Sequence, residues 1–503
     1  MRRILIGWIM LCAACIPSIE TANTPTASEP AGIPTGNPAP PDGDRYDMGT
    51  PALTEIWVDP SNGDDANSGE TRAEALASLT EAWNRIPMGS PLTIGSRILL
   101  TGGTYPPEAV PVYFESRHAS FAAPIVIEAA DGPGTVSLPS LNIFDTHYLY
   151  LLNLTISADG GDVFHCERCD HLLLRGVTVT GADPETYNVQ EAVKINQSQY
   201  IYIEDSDISG AWDNAIDFVA VQYGHVVGSR IHNSGDWCQY AKGGSAYLRM
   251  RGNEYFDCGT GGFTAGQGTG FEFMVAPWLH YEAYDVKFTG NLLHDIDGAC
   301  MGVNGGYNIL LAYNTCYKVG ARSHILEVVF GLRSCDGNVA QCQAYLDAGG
   351  WGTIRDGDEA EPIPNRNVFI YNNIFYNPAG FQSAWQHFAI YAPRIPGADS
   401  NIPWPSATDT NLQIRGNVIW NGPVDHPLGV EGAGEGCQPQ NATCNPEQLR
   451  ADNAINQFEP QLVDPENGDF RPLEGGNLAG WLTVPIPDFT WEDAPAGVPP
   501  SGG

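Results

Sequence analysis

The sequence predicts an all-β solenoid of stacked coils, a parallel β-helix, on three observations. A motif of apolar, any, apolar, two residues, often Asn, any, apolar recurs along the chain. Its copies include Ile201, Ile203, Ser206, Ile208; Leu248, Met250, Asn253, Tyr255; Val286, Phe288, Asn291, Leu293; and Ile309, Leu311, Asn314, Cys316. Two more run through Val368, Ile370, Asn373 and through Leu412, Ile414, Asn417, and earlier ones pass Leu149 and Leu172. Contiguous copies are 23 or 24 residues apart, which is a solenoid period. Second, apolar residues alternate within each copy, the mark of short strands with one buried face. Third, 57 Gly, 38 Pro and only 17% charged residues suit many strands joined by turns.

Along the 503 residues, the opening MRRILIGWIMLCAAC carries two arginines, a short apolar run and small residues before Cys15. It reads as an export signal over 1–15, too short to remain as a membrane span. Its ending resembles a bacterial lipobox with Cys15 as the lipidated residue, departing from it in having Cys12 where leucine is usual. The expected location is therefore the outer membrane or cell surface through a lipid anchor at Cys15, or secretion. Residues 16–54, rich in Pro, Thr, Ser and Ala, suit a flexible tether. The solenoid is expected over 55–475, with an irregular tail over 476–503. The remaining cysteines fall into near neighbours: Cys166 and Cys169, Cys238 and Cys258, Cys300 and Cys316, Cys335 and Cys342, Cys437 and Cys444. In an exported chain local disulfides are the default, although spacing alone leaves connectivity open.

With 24 basic against 59 acidic residues, the net charge of −35 argues against nucleic-acid binding. A polyanionic substrate would need local cations, from lysine, arginine or a metal.

The segments IWVDPSNGDDANSG, RILLTGGTY and QLVDPENGDFRP, with a short cap helix expected around Leu76 to Ile86, resemble the entry and exit of the right-handed parallel β-helix, pectate-lyase-like superfamily. The resemblance implies a single right-handed parallel β-helix, which here carries long loop insertions; a monomer with an acidic polysaccharide as its partner is expected. The resemblance says little about activity, because the fold hosts lyases, hydrolases, epimerases and binding proteins.

Two copies of the repeat pose a specific question. DWCQYAKGGSAYLRMRGNEYFDCG and ACMGVNGGYNILLAYNTCYKVG match in pattern, yet Lys242 in the first stands where Asn304 stands in the second. Alternation turns Val193, Ile195, Ile216, Phe218, Ala241 and Val303 inward, so Lys194, Asp217, Lys242 and Asn304 should face outward. Stacking predicts a ladder of Lys194, Asp217, Lys242, a residue near Gln267, Asn304 and Glu327. Two insertions, TAGQGTGFEFMVAPWLHYEAY and one from about Gly331 to Asn365, interrupt the period here. Trp278, His280, Tyr281 and Trp351 within them are expected as walls of a sugar groove, against the alternative that they only pack over the coil. The recurring Asn is expected where a turn needs φ > 0, or as a stacked hydrogen-bonded ladder.

The leading functional expectation is β-elimination on a uronic-acid polymer, which requires neutralising a carboxylate and removing the adjacent proton. Lys242 is the candidate base or the charge partner of that base, with His280 as the other candidate. Lys194, Arg249, Asn304, Trp278, Tyr281 and Glu327 are candidates for holding substrate, Arg249 being on a different strand. The family resemblance adds Ca²⁺, for which Glu191, Asp213, Asp217 and Asp236 are the oxygen ligands on offer. One alternative is glycoside hydrolysis by paired carboxyls, Asp213 with Asp217 or Asp295 with Asp297. The other is a noncatalytic glycan-binding surface lipoprotein.

Overall fold

The computed structural model describes residues 45–182, 190–398, 400–432, 436–437 and 441–488. The expected export signal, Cys15 and most of the tether lie outside these residues.

Among the described residues, each complete coil contributes a strand to each of three sheets, and the terminal coils contribute to fewer. The first holds twelve strands, from Leu53–Val58 to Thr410–Arg415; the second twelve, from Gly103–Thr104 to Ala454–Ile455. The third holds ten, from Phe114–Glu115 to Gln386–Ile390. Every pairing within the three is parallel, as between Val193–Asn196 and Ile216–Val219. The chain is a right-handed parallel β-helix. Its bore is filled by the inward residues of all three sheets, among them Ile201, Ile208, Phe218, Leu248, Phe263, Phe288 and Val303. The helix Leu79–Asn84 closes the N-terminal end by burying Leu79, Ala82 and Trp83, and Ser78 caps it by accepting from the Glu81 amide.

The recurring asparagines are a buried hydrogen-bonded stack rather than the turn residues. Positive φ falls one residue earlier, at Gly252, Gly290, Tyr313, Asn372 and Gly416. From Asn291 onward each asparagine's Oδ1 accepts both the backbone N–H and the side-chain amide of the asparagine one coil before, as Asn314 does from Asn291 at 2.9 and 3.1 Å. Its own amide also donates to a carbonyl of that earlier coil, Phe288 for Asn314. The reason is burial: an αL residue can be exposed, whereas the next side chain points into the corner, where its polar atoms and the strand-starting N–H all need partners. Ser206 and Ser229 continue the stack toward the N-terminus.

All five neighbouring cysteine pairs are disulfides, Cys166–Cys169, Cys238–Cys258, Cys300–Cys316, Cys335–Cys342 and Cys437–Cys444. Residues at both ends of the described chain pack onto the first sheet. Tyr46 stacks on Tyr202 at 4.3 Å, and Val484 and Ile486 pack against the cluster of Leu310, Phe369 and Tyr371.

Candidate active site

On the third sheet the register brings Lys194 beside Asp217, Asp217 beside Tyr240 and Tyr240 beside Thr264, then Gly302 and Glu327. Successive rungs are about 4.8 Å apart. The residue beside Asp217 is thus Tyr240, not Lys242. The strand Trp237–Lys242 has six residues against four in Ile216–Val219, so Lys242 pairs with Val219. Lys242 still faces outward, because it alternates with inward Ala241. Ala241 registers with Ala265 and Ala265 with Val303, so Lys242 and Asn304 occupy equivalent positions two coils apart.

The two positions are served differently. Asn304 is spent inside a network: it accepts from Thr264 Oγ1 at 3.2 Å and donates to Glu327 Oε1 at 3.0 Å, while Glu327 Oε2 meets His324 Nε2 at 3.0 Å. Lys242 instead lays its ammonium 4.3 Å over the ring of Tyr240 and donates to Gln267 Oε1 at 3.2 Å. Its positive charge acts on Asp213, Asp236 and Asp336, lowering the proton affinity of each.

Other partners also act on them, Asn214 Nδ2 at 2.9 Å and Lys194 on Asp213, Thr260 and Arg322 on Asp236, and Ser334 on Asp336, yet all three remain raised. Burial, then Asp236 and Asp217, push Asp213 up to about 6. Burial also raises Asp236, against the opposing hydrogen bond from Thr260 and the charge of Lys242. Glu191 is raised well above the usual range by burial and by Asp217 and Asp213. Lys194 sits between two of them, 3.4 Å from Asp217 Oδ2 and 3.9 Å from Glu191 Oε1. Burial disfavours its charge, but Asp217 and Glu191 outweigh that and raise it, so Lys194 is a fixed cation. Glu191 is also held by Asn214, whose backbone N–H donates to it at 2.7 Å.

The first insertion borders this face. Its Phe273 carbonyl accepts from Gln197 at 3.2 Å, and Glu282 accepts from the Gly243 N–H at 2.9 Å, next to Lys242. Glu282 is completely buried, with Arg333 of the second insertion donating to it at 2.9 and 2.6 Å. Both insertions are tied into a small sheet of Gly268–Gly270, Gly331–Ser334 and Glu361–Ile363. Just beyond this sheet lies Asp336, on which the charge of Lys242 acts.

Three groups of expected site residues fall elsewhere or do less. Arg249 lies on the first sheet, in register with His225 and Lys287, because its strand follows the Gly243-Gly244 turn. Trp278 and Tyr281 are 5% and 4% exposed, packed with Tyr247, Tyr284, Tyr307 and Trp351 over the first sheet. Tyr281 is edge-on to Tyr284 and Trp351, and both side chains are packed over the coil, leaving little of either surface for a sugar. His280 belongs to the same insertion, edge-on to Trp351 at 4.9 Å, and burial pushes it down to about 4.

Glu191, Asp213, Asp217 and Asp236 share the face with the lysines but do not converge. Among the described residues, no three of them bring ligand oxygens within 4.8 Å of one another. Calcium takes six to eight oxygens at about 2.3–2.6 Å. With the Lys194 ammonium already between Glu191 and Asp217, the four do not fit one calcium ion as a set. Asp217 Oδ1 is nevertheless buried without a hydrogen-bond partner.

No protein-family model matches the chain, and no curated protein matches it. Solved structures do. Pectate lyase Pel9A is similar at 13% identity over 86% of this chain and 92% of its own, with a TM-score of 0.37. Alginate lyase from Paenibacillus sp. str. FPU-7 matches at 13% identity over 54% of this chain and 97% of its own, TM-score 0.34. The A-module of the Azotobacter vinelandii mannuronan C-5 epimerase AlgE4 matches at 12% identity over 66% and 93%, TM-score 0.39. These likenesses concern the fold; the chemistry of this chain rests on its own residues.

Proposed function

We propose that the outward face of the third sheet is the active site of an exported polysaccharide lyase that cleaves a uronic-acid polymer by β-elimination. The observation that carries this is the pairing of two lysines with raised carboxyls on one face, beside loops that border it. A uronate carboxylate needs a cation, and Lys242 is a half-buried one, held by a ring face and an amide oxygen. The adjacent proton needs a base, and Asp213, shifted to about 6, takes a proton more readily near neutral pH than an ordinary aspartate. In this reading Lys242 is the charge partner of the base. Asp213 removes the proton beside the carboxylate, the carbon–oxygen bond to the departing sugar breaks, and solvent supplies the proton to the leaving oxygen. Lys194 and Asn304, on rungs to either side, line the path of the chain.

A second reading, hydrolysis by paired carboxyls, is favoured by one observation: burial and neighbouring carboxylates raise Glu191 well above the usual range and Asp213 to about 6, so either can hold the proton that a departing sugar oxygen needs. One assay separates the two. Purified protein is incubated with pectate, alginate and glycosaminoglycans, following both the ultraviolet absorbance of a new conjugated double bond and the release of reducing ends. A lyase yields both signals, a hydrolase reducing ends alone, and a glycan-binding protein neither. Parallel reactions with Ca²⁺ and with chelator report whether the ion assists.

A further inference from the structure

We propose that His118, Asp145 and His147 form a binding site for one Zn²⁺ ion that ties together two N-terminal coils. The site follows from the stacking of the solenoid. His118 and His147 are paired directly across adjacent coils with ring centroids 4.5 Å apart, and holding one ion requires the two rings to turn out of this stack so that both Nε2 lone pairs point at it. Asp145, two residues before His147, has φ 48°, a left-handed turn. Its carboxylate meets His118 Nε2 at 3.0 Å through Oδ2 and His147 Nε2 at 3.7 Å through Oδ1. One ligand atom from each of the three lies within 4.8 Å of the others, and all three residues are half-buried.

The donor set selects the metal. Two imidazole nitrogens and one carboxylate oxygen suit Zn²⁺, whereas Ca²⁺ and Mg²⁺ favour all-oxygen shells. Three protein ligands leave a coordination position for water. Asp170, on the rung after His147, is held by His171 Nδ1 at 2.5 Å and stands beside the trio as a further carboxylate. The proposal does not depend on the lyase reading.

The test uses tag-free full-length protein stripped of metal by chelator. Co²⁺ titration should give a saturable visible absorption at one equivalent, displaced by Zn²⁺ but not by Ca²⁺, and Zn²⁺ should raise the melting temperature. His118→Ala and His147→Ala should each weaken binding by at least about tenfold and abolish the melting shift, as should Asp145→Asn. His294→Ala, on the second sheet, should leave binding unchanged. If an alanine variant does not fold, His118→Gln and His147→Gln are measured instead. Absence of a saturable Co²⁺ signal overturns the proposal. So does binding that survives loss of both His118 and His147.

Discussion

The Lys242 ammonium rests 4.3 Å above the ring of Tyr240, two residues earlier on the same strand, while Asp217 registers with Tyr240 from the coil before. One ring therefore separates the carboxylate of one coil from the cation of the next. The ring faces the ammonium with its negative π surface, an attraction of roughly 0.5–2 kcal/mol. Burial and the surrounding carboxylates raise Tyr240 well above the usual phenol range, so it stays neutral.

If the ring is what aligns Lys242, its hydroxyl is dispensable and its face is not. Tyr240→Phe should retain activity, whereas Tyr240→Leu should lower kcat/KM by about tenfold, the rate equivalent of about 1.4 kcal/mol. Steady-state kinetics of the two variants on the cleaved polymer check this.

Asp213 makes folding stability depend on pH in a defined direction. Its carboxyl is raised from 3.8 to about 6 in the folded chain, so the folded state binds more proton than the unfolded state between those values. Its stabilising contribution is complete below the unfolded value and is lost as pH rises through about 6. Asp213→Asn removes that loss. The variant should match or exceed the wild type at pH 7, by on the order of 1 kcal/mol, with a smaller gain at pH 4. Denaturant melts at the two pH values measure the difference, and activity should fall even where stability rises.

The asparagine stack is a structural spine. Asn314→Ala leaves the Asn291 backbone N–H and side-chain amide without their acceptor in a buried corner, together with the carbonyl of Phe288. The expected cost is about 2–4 kcal/mol, two or more buried hydrogen bonds, with no specific effect on substrate affinity. Urea unfolding checks the first part and KM the second.

Arg333 and Glu282 position the site without touching it. Removing the cation alone, as in Arg333→Met, strands Glu282 as a buried charge and should destabilise by about 3–5 kcal/mol. Because Glu282 also holds the Gly243 N–H, the same variant should lower kcat at temperatures where it remains folded.

Much of this was legible in the sequence, for a physical reason. Period-two alternation puts Lys194, Asp217, Lys242 and Asn304 on one face, and the repeat spacing makes the coils stack. Register is harder, because pairing depends on where each strand begins: the longer strand ending at Lys242 put Tyr240 beside Asp217, although Tyr240 alternates outward by the same rule. The asparagines were recognisable as a repeat, but the positive φ belongs to the residue before each of them. The insertions follow no period. Nothing local revealed that Arg333 reaches Glu282, that the charge of Lys242 acts on Asp336, or that Trp278 and Tyr281 are buried over the first sheet. His118 and His147 pair across adjacent coils although they are 29 residues apart, so the 23–24-residue spacing did not bring them together.

If Lys242 differs from Asn304 because the site needs a cation there, the turnover of Lys242→Asn will show it. The substitution converts one copy of the repeat into the other, at a position where Asn304 already fits, so circular dichroism should be unchanged; loss of the contact with Tyr240 and of the charge acting on Asp213 and Asp236 should lower the melting temperature but leave the chain folded at the assay temperature. On the polymer that the wild type cleaves, the rate of double-bond formation should fall by at least about a hundredfold, the scale of losing a positioned acid, base or its charge partner. A folded Lys242→Asn protein that cleaves at the wild-type rate would contradict the account and leave Lys242 as a surface lysine.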